Sequence, residues 1–292
     1  MKTIDVFIAG AQKAGTTSLK NYLGQHPNVC THRQIEMGYF YHDQLYNLGY
    51  GLAYGRYFGN CQNDGCVVLA KNVAVMYDFI AIERLHEHNP CILLVLVLRN
   101  PVDRAYSAYW YARRMGSEDN PNFDEAVWLN PERHHDPVAQ RNCAYLHRGL
   151  YINCLQKILS VFPIQSLVVF RFESLKNDPV SVCQQIFKRI GIEAIVPDVH
   201  IRHNPASAPR SHLMAKMLFQ PSRLPYAKRI LRKFVPLGIR DRMREVLTTW
   251  NKLDMTPPSM NPGTRLKLIE FFKPYNQELS HLLGEDLSVW DS

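Results

Sequence analysis

The chain has 292 residues, 46% of them hydrophobic and 21% charged, a balance that fits one large or two small globular domains and argues against wholesale disorder. No apolar run reaches the ~18 residues of a membrane-spanning helix, and Met1-Lys2-Thr3-Ile4-Asp5 lacks the layout of a signal peptide, so a cytoplasmic enzyme is the expectation. The net charge of +8 is unevenly placed: between Arg202 and Arg244 eleven Lys or Arg stand against one acid, Asp241, and such a field draws anions.

Residues 4–9 read as a short buried strand that runs into Gly10-Ala11-Gln12-Lys13-Ala14-Gly15-Thr16-Thr17-Ser18. Thr17 to Leu23 then has helical periodicity, closed by Gly24 and the turn Gln25-His26-Pro27. Glycines let backbone N–H groups approach an anion, and a helix start offers unpaired N–H groups and a positive dipole end. This is the local chemistry of a phosphate cradle. It is not the common triphosphate loop G-x-x-x-x-G-K-[ST], because Lys13 precedes Gly15 and the threonines follow directly.

Val67 to Ala70 reads as a second strand with Lys71 at its end. Ile92 to Leu98 is a continuous Ile/Leu/Val run, suited to a strand buried on both faces of a parallel sheet, and it stops at Arg99-Asn100-Pro101. A helix follows to about Met115, with its proline where a missing N–H costs little. Residues 116–140 are polar and proline-containing and read as a long loop with a short helix inside. Residues 147–160 are helical, Ser166 to Arg171 is a strand, 179–190 is a helix ending near Gly191, and Thr264 to Leu283 is a helix interrupted by Pro274.

This alternation implies an α/β fold, a parallel sheet flanked by helices. Ligands in such sheets bind outside the carboxyl ends of strands, where the Lys13–Thr17 loop and Arg99 both fall. The chain reads as one domain, 1–292, with 200–262 as a basic helical cap or lid. Its seven scattered cysteines have no C-x-x-C or zinc-finger spacing. They are expected as reduced thiols, with Cys61 and Cys66 near enough in sequence to close a small loop in an oxidising compartment.

Gly10-x-x-Lys13-x-Gly15-Thr16-Thr17 resembles the 5′-phosphosulfate loop of sulfotransferases that use PAPS (3′-phosphoadenosine-5′-phosphosulfate), a P-loop-like fold. Arg99-Asn100-Pro101-Val102-Asp103-Arg104-Ala105-Tyr106-Ser107 resembles the 3′-phosphate site of the same family. Arg148-Gly149-Leu150-Tyr151, Phe172-Glu173-Ser174-Leu175 with Asp178-Pro179, and the C-terminal Leu282 to Trp290 are similar to further family segments, the last in the heparan N-sulfotransferase and bacterial branch. The chain is also similar to cyanobacterial sulfotransferases that tailor saxitoxin-type alkaloids.

The resemblance implies sulfuryl transfer from PAPS to a hydroxyl or nitrogen of a small molecule or carbohydrate, releasing PAP (adenosine 3′,5′-bisphosphate), with no metal required and no nucleic-acid partner. Lys13 is then the cation that stabilises the departing oxygen, and Ala14, Gly15, Thr16, Thr17 and Ser18 hold the 5′-phosphate end. Arg99, a rigid charged fork, and Ser107, about two helical turns on, hold the 3′-phosphate, and Arg210 on a closing loop can join them. Glu36 matches the proposed base of the heparan N-sulfotransferase branch, although Ile35 and Gly38 replace the family's usual lysine and His or Gln beside it. Lys71 resembles a lysine near the reaction centre, and His32 or His42 is the alternative base. Two rival readings are a P-loop phosphotransferase, which needs lysine directly before Ser or Thr, and a non-catalytic module binding PAP or an anionic polymer.

Overall fold

A computed structural model describes residues 1–59, 61, 65–200, 208–209, 211, 214–215, 252–253 and 257–292. The elements in chain order are β1 (Val6–Gly10), α1 (Thr16–Leu23), β2 (Val29–Thr31), α2 (Asp43–Tyr46), α3 (Tyr50–Phe58), β3 (Val67–Lys71), α4 (Phe79–His88), β4 (Leu93–Leu98), α5 (Pro101–Arg114), α6 (Phe123–Ala126), α7 (Pro137–Asn142), α8 (Tyr151–Leu159), β5 (Leu167–Arg171), α9 (Phe172–Asn177), α10 (Pro179–Arg189), β6 (Ala208–Pro209), β7 (Lys252–Leu253) and α11 (Pro262–Leu283). They divide into two compact units. One spans Met1–Asn100, Leu150–His203 and Pro274–Trp290, and the other spans Pro101–Gly149, Asn204–Lys273 and Asp291–Ser292.

The first unit is built on a five-stranded parallel sheet of order β2-β3-β1-β4-β5. Every residue of β1 and β4 is buried, as their unbroken apolar composition requires when both faces of a sheet are covered. The chain leaves β1 on one side to make β2 and β3 and on the other to make β4 and β5, so β1 is the switch point whose carboxyl end opens a ligand crevice. The β1–β4 register slips between Ile8 and Gly10, an irregularity that redirects the chain just before the loop.

Caps fix the helices. Asp78 accepts from Ala81 N at the start of α4, and Asp178 accepts from Ser181 N at the start of α10, where Pro179 occupies the first turn. In the second unit α5 buries Val102, Ala105, Ala108, Tyr109 and Ala112 along one face. Trp290, in the first unit, is a buried plug against Tyr151.

Two expectations change, and one stretch without an assigned element gains three. The helix from Pro262 continues through Pro274 to Leu283, because one lost backbone bond is outweighed by the buried stripe Thr264, Leu268, Phe272, Asn276, Leu279. The apparent gap between the first helix and Val67 holds β2, α2 and α3. Cys30 and Cys61 form a disulfide with Cα atoms 5.9 Å apart, since α3 returns the chain alongside β2, so the expectation of reduced thiols fails for this pair and Cys66 is a free thiol. Arg210 and nearly all of the basic segment 200–262 lie outside the described residues.

Candidate active site

Three neighbouring strands, β3, β1 and β4, carry candidate chemistry at their carboxyl ends. After β1 the loop turns through two left-handed residues, Lys13 (φ 71°) and Gly15 (φ 79°). A non-glycine residue held there is uncommon and marks a backbone shaped by its surroundings. At Gly15 a Cβ would approach Leu175 Cδ2 to 3.1 Å and Phe172 Cε2 to 3.3 Å, so both the conformation and the space call for glycine. Gly15 precedes α1, which has no side-chain cap and no acid in its first turn. The helix opens with the N–H groups of Thr16, Thr17 and Ser18, the position in which a helix start can receive an anion.

Arg99, at the end of β4, reaches this loop. Its Nη1 donates to the Lys13 carbonyl over 3.2 Å, and its guanidinium lies over the Phe172 ring, 4.7 Å from the centroid. The Tyr151 hydroxyl donates to the Arg99 carbonyl at 2.9 Å and holds the strand end. Ser107 is half-buried on α5 in the second unit. Arg104, from the same motif, is fully buried in that unit and donates to the Tyr145 carbonyl, which makes it a packing residue.

Lys71 ends β3, in register with Ile8 of β1. Its side chain is 1% exposed, and its Nζ lies 2.6 Å from Glu36 Oε1 and 3.2 Å from the Ile35 carbonyl. The other Glu36 oxygen, Oε2, accepts from Val73 N at 3.2 Å, and the carboxylate keeps 33% of its side-chain surface open. The two sequence candidates are thus one ion pair.

His32 is excluded as the base. Its Nε2 accepts from Lys71 N at 3.1 Å, so the proton sits on Nδ1, which donates to the Gln34 carbonyl at 2.8 Å. Burial, with the nearby Lys20 charge, pushes its pKa down to about 3 against the Gln34 bond, which raises it. His42 lies exposed just before α2. His26 is a turn residue, bonded to Glu193 O and Asn28 N. Tyr39, Phe40, Tyr46 and Tyr50 pack on one another as a ring cluster.

Sequence reasoning missed Lys20 and Asn72, both buried and both bonded to the segment that carries Glu36. The available signal was a lysine on the apolar side of α1. It also missed a buried cluster in the second unit, Glu118, His134 and Cys143, whose ligand-capable atoms lie within 4.8 Å of one another. Glu118 already takes the Arg133 guanidinium at 2.6 Å and the Tyr145 hydroxyl at 2.9 Å, so its charge is neutralised within the core.

The sulfotransferase domain family model matches residues 3–217. Mouse heparan sulfate glucosamine 3-O-sulfotransferase 6 is 24% identical over 285 residues, covering 97% of this chain and 72% of that protein. Mouse bifunctional heparan sulfate N-deacetylase/N-sulfotransferase 1 is 26% identical over 306 residues, covering 99% of this chain but 31% of that protein. A sulfotransferase from Alicyclobacillus acidocaldarius has the same fold, with TM-score 0.70, 24% identity and full coverage of both chains. The family model spans well over half of the chain, and the cradle and strand-end arginine fall within it, so the chain belongs to the sulfotransferase domain family of PAPS-using transferases.

Proposed function

We propose that the chain moves a sulfuryl group from PAPS to a hydroxyl or nitrogen of a carbohydrate or small natural product and releases PAP. The reading is carried by one juxtaposition: the uncapped start of α1 behind Lys13, and the half-open Glu36 carboxylate gripped by Lys71, sit at the carboxyl ends of adjacent strands. The residues fit the nucleotide, since the loop offers backbone donors, a lysine and a guanidinium to an anion and no acid opposes them in the first helical turn. When bound, PAPS supplies the activated sulfuryl group.

Ala14 to Ser18 bind the 5′ end, and Lys13 holds positive charge beside it. Arg99 grips the 3′-phosphate, with Ser107 and Arg210 assigned to it from their places in the sequence pattern. Glu36 takes the proton from the acceptor O–H or N–H, and Lys71 fixes one oxygen so that the carboxylate meets the acceptor in one orientation. Both mouse relatives are heparan sulfate sulfotransferases, one of them a glucosamine 3-O-sulfotransferase, so aminosugars are the first acceptors to test and small natural products the second. The proposal includes a single catalytic domain, 1–292; the lid assigned to it from the sequence, 200–262, lies almost wholly outside the described residues. Among the described residues no helix is long and apolar enough to cross a membrane.

The test supplies labelled PAPS with acceptor pools and looks by mass spectrometry for added sulfuryl mass, alongside PAP and AMP titrations. Preference for PAP together with a sulfated product supports the proposal. Equal affinity for PAP and AMP overturns it, and PAP binding without any product favours a binding module.

A further inference from the structure

Glu36 sits in a segment without regular secondary structure, between the end of β2 at Thr31 and the start of α2 at Asp43, and Arg33, Gln34 and Ile35 just before it are exposed. A base on such a stretch is placed only by what ties the stretch down. Two of the ties come from the end of β3 and the residue after it: Lys71 O accepts from Met37 N at 2.8 Å, and Asn72 Nδ2 donates to Met37 O at 2.9 Å. On the other side stands Lys20. It belongs to α1, the helix that starts at the phosphate loop, and it is 4% exposed. Its Nζ donates to His32 O at 2.8 Å and to Gln34 O at 2.9 Å. The His32 ring then spans from Gln34 O to Lys71 N, closing a ring of bonds beneath Glu36.

We propose that Lys20 is a positioning residue for the transfer step: it pins the carbonyls of His32 and Gln34 to α1 and so holds Glu36 against Lys71. The inference rests on the assignment of Glu36 as the base. The physical argument is that two carbonyls of an exposed segment converge on one buried ammonium, and a buried lysine costs more in desolvation than it returns unless it organises something. Burial, then the neighbouring Lys71 charge, push the Lys20 pKa down to about 8, while Glu36 pulls it up, so the ammonium and the carboxylate feel each other. Position 35, beside the base, is occupied by an isoleucine that is 66% exposed, so the positive charge that supports this segment comes from beneath it, from Lys71 at the end of β3 and from Lys20 on α1.

The test compares wild type with Lys20→Met and Lys20→Gln, the second keeping an N–H donor without the charge. Three readouts are taken: PAP affinity, kcat against KM for the acceptor, and amide exchange at Met37. We expect PAP affinity to stay within about twofold while kcat falls by about 10–100-fold, the scale of a misplaced reacting group, and Met37 to lose protection. PAP affinity retained with kcat and Met37 exchange both unchanged overturns the role of Lys20 and leaves the sulfotransferase reading intact. Wild type that lacks PAP preference or turnover overturns the reading itself. If the Met variant fails to fold, the Gln variant decides: wild-type kcat and Met37 protection together overturn the role.

Discussion

Lys71 and Glu36 form an ion pair with unequal exposure: the lysine, 1% exposed, is inside the protein, and the glutamate, 33% exposed, faces outward. The partner that does the holding is therefore fixed, and the partner left for chemistry is accessible. Glu36→Gln keeps one of the two anchors, because its single amide oxygen can accept from Val73 N or from the Lys71 ammonium but not from both, and the Met37 bonds to Lys71 and Asn72 still tie the segment down. PAP binding should therefore be retained while turnover falls by about 10²–10⁴-fold, the usual contribution of a general base. Single-turnover assays at saturating PAPS check this.

Lys13→Ala should cut turnover more than nucleotide affinity. Loss of one preorganised charge-stabilising group costs about 10²–10³ in kcat, whereas the backbone donors of the loop remain. Comparison of kcat with PAP affinity by titration calorimetry separates the two effects.

Arg99→Ala should act in the opposite way, weakening PAP binding with a smaller effect on kcat at saturation. Arg99→Lys should not rescue it, because a lysine restores neither the stack on Phe172 nor a planar fork. The check is the PAP-to-AMP affinity ratio of each variant.

Stability should fall as the solution is acidified below the ordinary histidine pKa of 6.5. Burial depresses His32 to about 3 and His88 to about 4, so between these values and 6.5 the unfolded chain binds protons that the native state refuses. Unfolding then takes up protons, and each group removes about 1.4 kcal/mol of stability per pH unit inside its window. Lys20, depressed to about 8 from an ordinary 10.5, acts at the other end: stability gains from it as pH rises between those values. Urea unfolding of wild type and His88→Gln across pH 4–7 checks the acid limb, and the variant should show a shallower fall.

Thiol titration of the unfolded, unreduced protein should count five, because two of the seven cysteines are joined as Cys30–Cys61. Cys30→Ser should lower stability by about 2–4 kcal/mol, the usual range for a native disulfide. Calorimetry with and without reductant checks both.

The parallel sheet was legible because β1 and β4 are apolar on both faces, a pattern that only a covered sheet explains. The glycine turn between β1 and α1 was legible because its glycines and threonines are adjacent in sequence. What escaped depends on distance along the chain. β2 has three residues and no pattern of its own, and it exists through pairing with β3. Lys20 stands out only as a lysine on the apolar side of α1, and its role shows when the fold brings the carbonyls of His32 and Gln34 to it. The Cys30–Cys61 link was hidden for the same reason, since it needs α3 to return along β2.

Gly10 ends β1, and a Cβ there would collide with Met76 Sδ, in the turn that follows Lys71 and Asn72. The end of β1 before the glycine loop and the turn behind the Lys71–Glu36 pair thus pack directly on each other. A bulkier side chain at position 10 is therefore expected to disturb the loop at Lys13 and the Lys71–Glu36 pair together, whereas exposed positions such as Arg33, Gln34 and Ile35 have room to vary.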